Sequence, residues 1–89
     1  MSNVSSFPSL VTRARMSIVS HLNTVEDPTV AHSLRMALLW INTAGDAERV
    51  GDIVAAKLHL GNAQAHLQVA SYAHAMHLVS PLTALRATA

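Results

Sequence analysis

The sequence predicts an all-α fold: a three-helix bundle or helical hairpin with one long C-terminal helix, in a single domain over residues 1–89. Three observations carry that expectation. Apolar residues recur at alternating spacings of three and four along most of the chain, the period of one helix face. Asp27-Pro28 and Gly51-Asp52 are helix start and stop signals that divide the chain into three segments. No segment shows the two-residue alternation of a half-buried strand. The helices are expected at about 7–24, 28–44 and 52–79, with a tail over 80–89.

Met1–Ser5 is expected to fray. Ser5 or Ser6 can cap the first helix, and Pro8 is tolerated in its first turn. Phe7, Val11, Ala14, Ile18, Leu22 and Val25 then share one face, flanked by Leu10 and His21, with Ser9, Thr12, Arg13 and Ser20 on the other side.

Glu26-Asp27-Pro28 is the clearest punctuation. Asp27 supplies an N-cap oxygen, and Pro28 at the first helical position loses no hydrogen bond. Val30, Leu34, Ala37, Leu38 and Ile41 form the inner stripe of helix two. Met36, Leu39 and Trp40 lie off it. Leu39 and Trp40 are too apolar for a plain solvent face, so they are either a contact surface or are covered by helix one or the C-terminal tail. Between Asn42 and Gly51 two readings stay open. Gly45-Asp46 can stop helix two, or the helix can continue to about Val50 and break at Gly51-Asp52, which is favoured.

Helix three, Asp52 to Val79, is the expected spine of the fold, and it is apolar on two sides. One stripe runs Val54, Leu58, Gly61, Ala65, Val69, Tyr72, Met76 and Val79. The other runs Ile53, Ala56, Leu60, Ala63, Leu67, Ala70, His74 and His77. Lys57, Gln64, Gln68 and Ser71 form a narrow polar strip between them. A helix with two apolar sides is either the centre of a bundle or is shared with another chain. Ala56, Ala63 and Ala70 recur every seven residues, as do Ile53, Leu60 and Leu67. Small residues let a partner helix approach closely, and a seven-residue period favours a shallow left-handed crossing. The second stripe, with Leu39 and Trp40, is therefore assigned as the candidate interface: Ile53, Ala56, Leu60, Ala63, Leu67, Ala70, His74, His77, Leu39 and Trp40. Which of the two stripes faces outward is left open. Ser80-Pro81 is expected to end the helix, because a residue before proline disfavours helical geometry.

Composition narrows the function. Half the chain is apolar, only three residues are aromatic, and charged residues are 12% of the total. A small, weakly charged surface with spare apolar stripes points to partners: a second copy of the chain, and another protein. Net charge is +1, so no strong field draws nucleic acid or an acidic membrane. There is no cysteine, hence no disulfide, thiolate metal site or thiol nucleophile. An early basic residue followed by an apolar run is lacking at the N-terminus, so no signal peptide is expected there. Residues 58–85 carry no formal charge, but Asn62, Gln64, Gln68 and four histidines make a lipid-facing span untenable.

The histidines are the one unusual ionisable feature. His59, His66, His74 and His77 fall within about an 80° sector of a continuous helix. His59 and His66 lie about 10.5 Å apart along the axis, too far to share an ion. Only His74 and His77 could, with His21, His32 or a carboxylate completing the set, so no metal site is expected. Four imidazoles on one face would all charge in acid, which would make a contact there pH-sensitive; the plainer reading is semi-polar filler at half-exposed positions. Glu26, Asp27, Asp46, Glu48 and Asp52 all sit at helix starts or in loops, where capping explains them. With no nucleophile elbow and no glycine-rich loop after a strand, neither an enzyme nor a cofactor is expected. Arg13, Arg15, Arg35, Arg49, Lys57 and Arg86 are scattered and offset by five acids. A small DNA-binding regulator is the alternative to an interaction module, but Pro28-Thr29-Val30-Ala31 offers a recognition helix little to read bases with, so nucleic acid is not the expected partner.

Asn62-Ala63-Gln64-Ala65-His66-Leu67-Gln68-Val69-Ala70 resembles the AQxHxxLA-like helix of small Ala-rich proteins of actinobacteria and their phages. Ala63, Gln64, His66 and Ala70 match; Gln68 departs in polarity, and the leucine follows the histidine directly. The resemblance covers about a third of the chain. It implies a phage or actinobacterial accessory protein in the cytoplasm, and no catalytic residues.

Overall fold

The computed structural model describes residues 6–83, with side-chain surroundings from residue 10 onward except at residue 73. Met1–Ser5, the Ser5 cap, the Phe7 side chain and residues 84–89 of the expected tail lie outside the described residues. Four helices follow one another: α1 (Ser6–Leu22), α2 (Pro28–Arg49), α3 (Ile53–Ala70) and α4 (Ala73–Thr83). The all-α class holds, and among the described residues the count changes from three helices to four.

Local signals set most boundaries. The Asp27 carboxylate accepts the Thr29 N–H at 2.9 Å, with Pro28 beside it in the first turn. At the other end α2 runs through Gly45 to Arg49, past the range 28–44 and up to the Gly51-Asp52 break, the favoured of the two readings. Gly45 is buried inside the helix, with room beside its Cα for ordinary contact with Val11 and Arg15 of α1. The real stop is Gly51, at φ +83°. There the Gly51 N–H reaches the Glu48 carbonyl (3.0 Å) and the Asp52 N–H reaches that of Ala47 (2.9 Å), which satisfies the last turn's free carbonyls. Asp52 at once caps α3 by accepting the Ala55 N–H at 3.0 Å.

The expected single helix over 52–79 is two helices. Ser71 turns left-handed (φ 61°, ψ 38°), its N–H reaching the Gln68 carbonyl and that of Tyr72 the Leu67 carbonyl, both at 3.1 Å. These two bonds have the same spacing as those at Gly51 and Asp52. Serine in this region costs about 1–2 kcal/mol relative to glycine, so tertiary packing has to supply the difference. The compensation is visible in α4. The break rotates Ala75, Leu78, Val79 and Leu82 into the core, where each is at most 8% exposed. Pro81 does not end α4, which continues to Thr83. Its missing N–H falls in the last turns, Leu82 anchors them in the core, and the Thr83 hydroxyl covers the Ser80 carbonyl at 2.9 Å.

The helices form a ring in which each packs on two neighbours: α1 on α2 and α4, and α3 on α2 and α4. The α2–α3 pair is the most extensive. Ala37, Ala44 and Ala63 are fully buried in the common core and Ala56 is fully buried outside that cluster, and such small residues let helix backbones come close. Polar and aromatic contacts tie the joints. Arg15 Nε donates to Asn42 Oδ1 at 2.8 Å between α1 and α2. Gln64 Nε2 donates to Ser80 Oγ (2.9 Å) between α3 and α4, with the Thr83 hydroxyl oxygen 3.3 Å from Gln64 Oε1. Trp40 stacks on His59 across the α2–α3 joint, with ring centroids 5.4 Å apart at 25°.

Candidate interaction surface

The helical wheel of α3 decides which of its two apolar stripes is available. Ala56, Leu60, Ala63 and Leu67 are fully buried and Ala70 nearly so. The stripe assigned as a self-interface is therefore the chain's own core, and that assignment is corrected: these five residues pack inside the bundle and are not a surface. Ile53, at the start of the helix, is 39% exposed. His74 and His77 are exposed on α4, because the break at Ser71 turns them away from the stripe they would have continued.

The opposite stripe faces out. Val54 (68% exposed), Leu58 (65%) and Val69 (70%) stand two-thirds free, with exposed Gly61 and Ala65 between them. Val50, in the turn before α3, is exposed too. At the other end of the stripe a mostly apolar cleft of about 270 Å³ opens between Leu67, Gln68, Ser71, Tyr72 and Met76. Of the remaining candidates, Leu39 is exposed on the outer side of α2, and Trp40 is half-buried against His59. Trp40 packs against His59 of α3, a neighbour the sequence did not suggest; residues 84–89 of the tail lie outside the described residues. Met16 and Val19, exposed on α1, were not foreseen.

The inner stripe could have been recognised as core from the sequence. Its alanines repeat every seven residues, and so do Ala37 and Ala44 of helix two. Two matching alanine ladders in consecutive helices are an intramolecular seam.

The histidines do not form one face. His59 and His66 are half-buried on α3, while His74 and His77 belong to α4. The His59 Nδ1 is buried with no hydrogen-bond partner among the described residues, and the ring face of His59 lies against Trp40. His21 packs on Tyr72 with ring centroids 4.5 Å apart. Among the described residues no three histidine or carboxylate groups converge as metal ligands. An open groove of about 440 Å³ between α1 and α4 is lined by Arg13, Ser17, Ser20, His21 and His74 above Met16 and Leu78. The carboxylates stay where capping placed them: Asp27 and Asp52 at helix starts, Asp46 paired with Arg49 on the surface of α2. Among the described residues, no helix is long and apolar enough to cross a membrane. No protein-family model, curated protein or solved structure matches the chain.

Proposed function

We propose that this chain is a non-catalytic protein–protein interaction module that self-associates through the outward face of α3. The observation that supports this reading is the row Val54, Leu58 and Val69, each about two-thirds exposed on the side of α3 opposite its buried stripe. Scattered exposed apolar residues are ordinary; a continuous row on one helix, interrupted only by glycine and alanine, is what a contact surface requires. The flanks suit that role. Lys57 is the only formal charge on α3, so little charge must be stripped of water when the face is covered. The likeness of residues 62–70 to actinobacterial and phage proteins adds an accessory setting to the proposal, in which the same surface also engages another protein.

The test is a charge placed on the face. Leu58→Glu with Val69→Glu should leave the helical content and thermal transition nearly unchanged, because neither residue touches the core. It should abolish self-association in light scattering at concentrations where the native chain is dimeric. A double variant that still associates like the native chain would remove the proposal.

A further inference from the structure

The outward face of α3 is nearly symmetric about its middle. Val54 and Val69 are equidistant from the point between Gly61 and Asn62, and so are Leu58 and Ala65. Turned end for end, the stripe presents valine to valine at its ends, leucine to alanine inside them, and glycine at the centre. A two-fold symmetric contact needs such self-complementarity, with residue i meeting residue j and j meeting i.

Gly61 is the second observation. It sits in the middle of an eighteen-residue helix, where glycine is disfavoured relative to alanine. Nothing among the described residues requires it: a Cβ there would meet none of their atoms within 4 Å, and its φ is not left-handed. A bare backbone at the centre of an exposed apolar stripe is explained by another helix lying close against it.

The ends agree. The same register brings Val50, 79% exposed, level with the partner's helix break just past Ser71, beside the apolar cleft between Leu67, Tyr72 and Met76. Covering Val50, Val54, Leu58 and Val69 on both copies, with the backbone between them, buries on the order of 1,000 Å². That is the lower bound for a specific interface, so the contact suits a weak dimer.

We propose that two copies of this chain pair antiparallel along α3, with the two-fold axis passing beside Gly61. This rests on the self-association proposed above and adds the geometry. The pairing is closed: it uses the same patch on both copies and leaves no free end to propagate a filament.

Engineered cysteines test it, since the native chain has none. In antiparallel register Val54 lies beside the partner's Val69, while the two copies of Val54 stand about 22 Å apart along the axis, far beyond disulfide reach. Val54→Cys and Val69→Cys chains should therefore each stay unlinked alone under mild oxidation and form a disulfide dimer when mixed. Gly61→Leu should fold, there being open space for its side chain, and should weaken dimerisation at least tenfold. If Val54→Cys links to itself, or the mixture fails to link while scattering shows a dimer, the antiparallel arrangement is wrong and self-association stands. If scattering shows no dimer, both fall.

Discussion

Leu60→Ala should lower stability by about 2–5 kcal/mol, whereas Leu58→Ala, two residues away on the same helix, should stay within about 0.5 kcal/mol of the native chain. Leu60 is fully buried and Leu58 is 65% exposed. Truncating Leu60 removes buried methyl groups and leaves a void that the surrounding alanines are too short to fill. A domain of this size has about 5–15 kcal/mol to lose, so the Leu60 variant should melt roughly 8–40 °C lower if each kcal/mol is worth about 4–8 °C. Thermal unfolding followed by circular dichroism, at dilution where the chain is monomeric, makes the comparison. Equal effects at the two positions would mean that Leu58 and Leu60 do not lie on opposite, differently buried faces of α3, and a larger loss at Leu58 would mean that the faces are interchanged.

Ala63→Leu should be nearly as damaging, for the opposite reason. Ala63 is fully buried on the face of α3 that meets α2, where Ala37 and Ala44 are also fully buried. Leucine there has to push the helices apart or adopt a strained rotamer, at about 1–3 kcal/mol and more where the backbones cannot separate. Ala65→Leu, on the exposed side, should be tolerated. Urea unfolding of the two variants reads the difference directly. An Ala63→Leu chain as stable as the native one would show that α2 and α3 are not held at close range.

How far the sequence carries this account depends on the residue at each helix end. Asp27-Pro28 and Gly51-Asp52 announce themselves because their side chains or their lack of one do the local work: a carboxylate on free N–H groups, a glycine at positive φ. The Ser71 break was not legible, since the same backbone closure is made there with a residue that has no special liking for left-handed geometry. What demands it is tertiary: Ala75, Leu78, Val79 and Leu82 reach the core only if the chain turns. Periodicity drawn straight through Ser71 therefore carried His74 and His77 along the inner stripe, when they belong to the surface of a separate helix. Pro81 misled in the same way, a local helix breaker overruled by the anchoring of Leu82.

The candidate surface had a different difficulty. Both stripes of α3 were evident from spacing, but a wheel cannot say which side meets the rest of the chain when both are apolar. The alanine ladders resolve it once α2 and α3 are seen as neighbours, and they assign the small-residue stripe to the interior. What remains outside is larger and more hydrophobic than a free surface needs, and it is this excess that carries the functional reading.

The most direct measurement is sedimentation equilibrium of the native chain at neutral pH, from about 10 μM to about 1 mM, the range suited to a contact of roughly 1,000 Å². The apparent mass should rise from the 9.5 kDa of one chain towards twice that value and no further. A mass of 9.5 kDa at every concentration would contradict it.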